Sequence, residues 1–144
     1  MGGFLALWVI GYGLVQATAP RITRSQPDGH TAFWWAAVLA LIPAAIALFL
    51  GVTGHAFLLG GLLVFGVFFA INSSLHSYLI VSYASADGVS LDVGFYYMAN
   101  AMGRLLGTVL SGWIYQAYGL TCCLWISAGF VTAAALLSLR LPRR

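Results

Sequence analysis

The sequence predicts an all-α integral membrane protein with five transmembrane helices, corresponding to one domain over residues 1–144. Hydrophobic residues make up 62% of the 144 positions, whereas charged residues make up only 6%. A soluble globular domain carries about 25% charged residues, so this chain lacks the polar surface that water would require. The charges are six arginines and three aspartates, and there is no lysine or glutamate.

Five apolar stretches approach or exceed the length needed to cross a bilayer, which is about 20 residues. Turn residues separate them, and the predicted spans are 4–19, 32–51, 56–84, 92–118 and 121–139. The first ends at Pro20, and the second contains Pro43, which a membrane helix tolerates as a kink. The third is longer than one crossing and is expected to tilt. Gly119 separates the last two spans.

The arginines predict the orientation of the protein. With five spans, the first loop, the third loop and the C-terminal tail lie on one side of the membrane. That side holds Arg21, Arg24, Arg140, Arg143 and Arg144, and the opposite turns hold no arginine or lysine. Basic residues favour the cytoplasmic side, so we expect a multi-pass protein of the plasma (inner) membrane with a cytoplasmic C-terminus. The expected surroundings are the lipid bilayer, and no nucleic acid is expected as a partner.

A polar stripe follows one face of the predicted fourth helix. Residues at a spacing of four share a helix face, and this stripe comprises Asp92, Tyr96, Asn100, Arg104 and Thr108. Arg104 lies near the middle of the span, where an ionisable side chain costs a few kcal/mol and normally faces a polar cavity. Asp92 is about 18 Å away along the helix axis, too far to pair with it. The stripe therefore indicates an anionic small-molecule substrate.

A row of small residues at the same spacing lies beside the stripe. The row comprises Ala99, Gly103, Gly107 and Ser111, and small residues allow two membrane helices to approach closely. We therefore expect this row to pack against another helix.

A second polar cluster lies on the predicted third helix, which runs antiparallel to the fourth. Asn72 and His76 share a face, with Ser73 and Ser77 beside them, and Gln16 of the first helix is a weaker candidate for lining the same cavity. The predicted substrate-binding residues are Arg104, Asn100, Tyr96, Asn72 and His76.

Structural roles compete with this interpretation. Arg104 could pair with backbone carbonyls or with an acidic residue of a partner chain. Asn72 and the serines could instead form hydrogen bonds between helices. His76 could be a packed neutral imidazole, or it could contact substrate or carry a proton.

The sequence favours neither an enzyme nor a metal protein. No nucleophile motif, zinc-protease motif or pair of carboxylates is present. The adjacent Cys122 and Cys123 lack the spacing of zinc or thioredoxin-like sites; a vicinal metal-binding pair remains open, but packing is favoured. No cofactor is expected.

Several segments resemble transporters of the major facilitator superfamily. The segment GRLLGTVLSGWIYQAYG at 103–119 resembles the eleventh transmembrane helix of that superfamily, and PRITR at 20–24 looks like its basic loop between helices eight and nine. Within the superfamily, three segments are similar to the ArsJ family of organoarsenical efflux permeases: 11–21, 71–80 and 92–104. This resemblance implies export of an organoarsenical such as 1-arseno-3-phosphoglycerate.

The resemblance covers only helices eight to twelve of the twelve in that superfamily. Its transporters work by rocking two halves around a shared cavity. The resemblance therefore implies that this chain is a fragment of an efflux permease, with a missing N-terminal half as a further expected partner. The alternative is a non-transporting membrane subunit or assembly partner.

Overall fold

The computed structural model describes residues 2–23, 28–84 and 88–141 of the chain. Within them the fold has three helical elements, α1 (Gly2–Ile22), α2 (Gly29–Tyr83) and α3 (Val89–Ser138), and no strand. Three stretches of the described residues are long and apolar enough to cross a membrane: Gly29–Val52, Phe57–Tyr83 and Val89–Ser138. The chain is therefore all-helical, with helices suited to a membrane.

The long helix α2 folds back on itself. A straight helix of 55 residues would be about 80 Å long, whereas the hydrocarbon core of a bilayer is about 30 Å thick. Instead, the Trp35 and Phe68 ring centroids lie 5.7 Å apart, and those of Phe49 and Phe57 lie 5.9 Å apart. The two antiparallel halves are named α2a (29–52) and α2b (57–83).

The helix α3 also reverses direction, at Gly119. This glycine has φ 81° and ψ −179°, a conformation that is essentially restricted to glycine. The Cys123 Sγ lies 3.4 Å from the Ser111 carbonyl oxygen, although these two residues would be about 18 Å apart in a straight helix. The two halves of α3 are named α3a (89–118) and α3b (120–138).

The five separate spans predicted from the sequence are not what the structure shows. The described residues form three helical elements, and within α3 only Gly119 departs from helical angles. The bounds differ as well. The first helix continues past Pro20 to Ile22, and α2 begins at Gly29, where Asp28 caps it by accepting a 2.8 Å hydrogen bond from the Thr31 backbone N–H.

The core is centred on α2a. On one side, Ala32 packs against Leu75 and Leu79 of α2b. On the other side, Ile46 packs against Leu124 of α3b. The helix α1 packs against α2, and its Trp8 ring lies against Gly66. By contrast, every residue from 101 to 109 of α3a is exposed, so the helix that carries Arg104 lies at the edge of the bundle.

Both ends of α2 and the end of α3 meet at one end of the molecule. A Cβ on Gly29, the first residue of α2, would lie 2.9 Å from the Ser138 carbonyl oxygen and 2.7 Å from the Leu141 Cβ. Leu141 and Tyr83 also pack against one apolar cluster. The start of α2, the end of α2 and the end of α3 therefore lie together. Arg24, Arg143 and Arg144, part of the orientation argument, lie outside the described residues.

Candidate functional site

The α2b helix presents Asn72 and His76 on one face. The spacing of Phe65, Phe69, Asn72 and His76 places all four on the same side of the helix. The His76 Nδ1 lies 2.9 Å from the Asn72 backbone carbonyl oxygen. A carbonyl oxygen can only accept, so this bond requires a hydrogen on Nδ1. The imidazole is thereby fixed in orientation, and Nε2 remains for another partner.

The Asn72 side chain contains a buried acceptor with no partner. Its Oδ1 is inaccessible to solvent and makes no hydrogen bond within the described part of the chain. Such a group costs about 1–3 kcal/mol when it is left unpaired. Buried polar atoms are normally satisfied, so Asn72 Oδ1 is a candidate for contact with something outside the described chain.

The two neighbouring serines have structural partners. The Gln16 Nε2 of α1 donates to the Ser73 Oγ at 3.5 Å, which joins two helices. The Ser77 Oγ donates to the Ser73 backbone carbonyl at 3.0 Å. Ser73 thus makes a hydrogen bond between helices, as the structural interpretation expected, with Gln16 as the link between α1 and α2b, whereas the bond of Ser77 stays within its own helix.

Fewer side chains of the polar stripe on α3a have hydrogen-bond partners than those of the α2b cluster do. Tyr96 and Asn100 are half-buried, and Arg104 is exposed. The Tyr96 ring makes an edge contact with Tyr97 at a centroid distance of 5.5 Å. The Thr108 hydroxyl donates to the Arg104 backbone carbonyl at 2.8 Å. Neither the Arg104 guanidinium nor the Asn100 amide makes a hydrogen bond or ion pair with any described residue.

The surface around Arg104 is apolar. Met102, Leu105, Leu106 and Val109 are all more than half exposed on the same stretch of helix. A lone cation on such a surface is poorly suited to lipid, because placing it in hydrocarbon costs a few kcal/mol or more. The electrostatics of α3a therefore favour an anion or a polar environment at Arg104.

A cavity of about 910 Å³ separates α3a from α2b and α3b. Its lining is mainly apolar and includes Phe65 and Phe69 of α2b together with Gly103 and Gly107 of α3a. The cavity is therefore shared by the aromatic residues of α2b and the small residues of α3a, whereas Asn72, His76, Tyr96 and Asn100 are not among its lining residues. Arg104 is not among the residues that line the cavity.

The structure therefore brings together only part of the predicted site. Asn72 and His76 are in direct contact, and Tyr96 and Asn100 lie on the helix α3a. No hydrogen bond between described residues joins these two pairs, and Arg104 does not line the cavity.

The row of small residues on α3a does not pack as predicted. A Cβ placed on Gly103 or Gly107 would meet no described atom within 4 Å, so these two glycines leave open space instead of admitting a helix. Ser111 of the row accepts a hydrogen bond from the Cys123 thiol at its backbone carbonyl oxygen, 3.4 Å away. The prediction that this row packs against another helix is wrong for the two glycines in this fold, because no atom of α2b or α3b comes within 4 Å of a Cβ placed there.

The aromatic wall of the cavity was missed by the sequence reasoning. Phe65 and Phe69 stack with ring centroids 5.7 Å apart, and their spacing from Asn72 and His76 was the available signal. Both cysteines are free, and no group of three or more metal-ligating side chains occurs among the residues the structure describes.

The chain was compared with protein families, curated proteins and solved structures. No family model, no curated protein and no solved structure matches the chain.

Proposed function

We propose that this chain is part of an efflux permease that moves a small organic anion across the plasma membrane. Arg104 binds the anionic group, Asn100 and Tyr96 contribute from the same helix, and Asn72 and His76 contribute from α2b. The observation that carries this proposal is the exposed Arg104 guanidinium, which has no partner among the described residues and lies on an apolar helix.

The chemistry of guanidinium favours an oxyanion as the ligand. Its planar fork of N–H donors matches the geometry of phosphate and carboxylate, and it stays charged at all physiological pH values. The first half of the chain offers no acid at this level, and Asp92 lies about 18 Å away along α3a. A mobile anion is then the natural counterion for Arg104.

The resemblance of three segments to organoarsenical efflux permeases supports a more specific cargo. It favours an organoarsenical such as 1-arseno-3-phosphoglycerate. In this arrangement α2 and α3 each cross the bilayer twice and α1 crosses it once. The arginine-bearing end faces the cytoplasm, because basic residues favour that side, and the missing half of the cavity is supplied by an N-terminal half.

Substitution of Arg104 tests the proposal. The purified chain in lipid nanodiscs is titrated with 3-phosphoglycerate in an isothermal titration calorimeter. Arg104→Leu is expected to weaken binding by about ten- to a hundredfold, since a charge-assisted hydrogen bond contributes about 1.5–3 kcal/mol. Arg104→Lys keeps the charge but loses the planar fork of donors, so its affinity should lie between those of the wild type and Arg104→Leu.

Thr108→Val is the matched control. Thr108 belongs to the same stripe and is exposed, but its hydroxyl bonds to the backbone of its own helix, so binding should be unchanged. Equal affinity of the wild type and Arg104→Leu, with both inserted in the membrane, would remove Arg104 from the site. In cells challenged with arsenate, the same substitution should raise retention of the organoarsenical.

A non-transporting assembly role is the second candidate, because α3a exposes a continuous apolar surface. It predicts co-purification of a stoichiometric partner chain in mild detergent, with no stabilisation by any anion. This candidate would be favoured if Leu105→Arg no longer bound the partner chain. Its melting temperature should then equal that of the wild type, both with and without an anion.

A further inference from the structure

The cavity between α2b, α3a and α3b has an aromatic wall that belongs to a longer row of rings. The row passes from α1 to α2b in the order Trp8, Tyr12, Phe69 and Phe65, with successive ring centroids 5.7, 6.1 and 5.7 Å apart. These separations lie in the range in which aromatic rings attract one another. Because Phe69 and Phe65 both line the cavity, a further ring inside it can extend the row.

The α3a side of the cavity is bordered by two glycines that leave space free. Gly103 and Gly107 line the cavity, and a Cβ on either would meet no described atom within 4 Å. The cavity volume of about 910 Å³ falls within the range of about 300–1,000 Å³ that small-molecule sites occupy. The cavity therefore has room for a small organic molecule.

The lining of the cavity is uncharged. None of its described lining residues is an aspartate, glutamate, arginine, lysine or histidine, and Arg104 lies outside it. An ion that left water for such a site would lose its hydration without gaining a partner. The cavity therefore suits an uncharged molecule, in contrast to the anion proposed for Arg104.

Ser127 of α3b provides an unused hydrogen-bonding group. It lines the cavity, and its hydroxyl makes no hydrogen bond with any described residue. By contrast, the hydroxyls of Thr132 on the same helix and of Ser111 on α3a donate to backbone carbonyls of their own helices. A free hydroxyl both donates and accepts, so Ser127 can orient a ligand that carries one polar group.

We propose that this cavity binds an uncharged aromatic molecule with one hydroxyl group. Its ring packs against Phe65 and Phe69, and its hydroxyl bonds to the Ser127 Oγ. This site is separate from the Arg104 site and does not depend on the proposed function. A lipid acyl chain is a poorer occupant, because it cannot continue the row of rings and leaves the Ser127 hydroxyl unpaired.

The Cys123 thiol reports whether the cavity is occupied. Cys123 also lines the cavity, one helical turn before Ser127. In Cys122→Ala it is the single thiol, since the chain has two cysteines. This protein in lipid nanodiscs is alkylated with N-ethylmaleimide, and intact mass spectrometry gives the rate. Saturating 2-naphthol is expected to stop the alkylation, because a ligand in the cavity excludes the reagent.

Two analogues of 2-naphthol test the chemistry of the ligand. Naphthalene lacks the hydroxyl, so half-protection should need about two- to tenfold more of it, the range for one neutral hydrogen bond. Ser127→Ala should remove this difference by weakening 2-naphthol alone. The comparison between the two proteins cancels any difference in how the ligands partition into lipid. The anion 2-naphthalenesulfonate should give no protection.

A leucine placed in the free space tests the location of the site. Gly107→Leu fills part of the cavity, so 2-naphthol should no longer change the alkylation rate. Gly112→Leu is the matched control, because Gly112 has equally open surroundings on α3a but does not line the cavity. It should keep the protection. Gly103→Leu replaces Gly107→Leu if that variant does not fold.

The outcomes distinguish this inference from the proposed function. Protection that needs Ser127 and persists in Arg104→Leu supports the inference, even where anion binding at Arg104 fails. Unchanged alkylation at every 2-naphthol concentration overturns it, and a lipid chain or another helix then fills the cavity. Protection by 2-naphthalenesulfonate that is lost in Arg104→Leu overturns it as well, since the ligand is then an anion. Loss of protection in Gly112→Leu, or no effect of Ser127→Ala, also contradicts it.

Discussion

At the scale of single residues, the polar side chains of this protein differ in whether their own helix satisfies them. The hydroxyls of Ser77 and Thr108 and the imidazole of His76 each bond to a carbonyl four residues earlier. The Asn100 amide and the Arg104 guanidinium make no such bond with any described residue. The periodicity of the sequence predicted the faces on which these residues lie, but it could not predict which of them would remain unsatisfied.

Asp28 provides a pH-dependent contribution to stability at the same scale. The Thr31 backbone N–H and hydroxyl, both bonded to its carboxylate, lower the pKa of Asp28 below its ordinary value. The lowered pKa means that the stabilisation is fully present above the ordinary pKa of about 3.9. It is lost as the pH falls through the lower folded value. Asp28→Ala should reduce the free energy of unfolding at pH 7 by about 1 kcal/mol.

Thermal unfolding in detergent at several pH values checks this prediction. Asp28→Asn is the control, because asparagine also caps a helix but does not titrate. It should retain most of the stability at pH 7 and lose the part of the acid dependence that Asp28 causes. Identical acid melting profiles for the wild type and both variants would contradict the cap.

At the scale of the elements, the positions of the reversals were predictable and their form was not. The Gly and His residues at 51–55 and Gly119 indicated breaks in the apolar pattern, and the chain does reverse at both places. The sequence reasoning expected separate helices there. The second reversal uses a single positive-φ glycine in place of a loop, because one residue outside helical angles is enough to redirect the chain.

Substitution by alanine should have opposite effects on stability at two helical glycines. A Cβ on Gly61 would lie 2.6 Å from the Cγ1 of Ile46, and Ile46 is only 2% exposed, so it has little room to move. Gly61→Ala should therefore destabilise the α2 hairpin by about 1–3 kcal/mol. Gly103→Ala meets no described atom within 4 Å and should stabilise its helix by about 0.5–1 kcal/mol.

Melting temperatures of the two variants in one detergent provide the measurement. Gly112→Ala serves as a second open position on α3a, outside the cavity lining, and it should behave as Gly103→Ala does. A loss of stability in Gly103→Ala similar to that in Gly61→Ala would show that α3a is packed against another helix.

At the scale of the whole molecule, the fold has a packed side and an open side. Helix α2a is enclosed by α2b and α3b, whereas residues 101–109 of α3a are exposed all round. Composition predicted the membrane class, and chain order predicted which ends meet. The open side could not be predicted, since a run such as Leu105-Leu106 has the same sequence signature whether it faces lipid, a cavity or another chain.

Cysteine labelling tests the orientation of the whole molecule. In a background without Cys122 and Cys123, we expect a membrane-impermeant thiol reagent to label Val52→Cys on intact cells. It should label Arg140→Cys only after permeabilisation. Val52 is 86% exposed and Arg140 is exposed, so both positions are accessible. The reverse pattern would place the arginine-bearing end outside the cell.

The contact between Gln16 and Ser73 has a consequence for biosynthesis. A membrane protein delivers its helices to the bilayer in chain order, and Ser73 follows Gln16 by 57 residues. During synthesis, the nascent α1 must therefore reside in lipid, or beside the insertion machinery, with its amide unpaired until α2b arrives. The contact of Trp8 with Gly66 also cannot form until α2b has been synthesised. Assembly of α1 is thus coupled to the release of α2b, and a ribosome stalled before residue 73 would hold α1 in a state open to quality-control recognition.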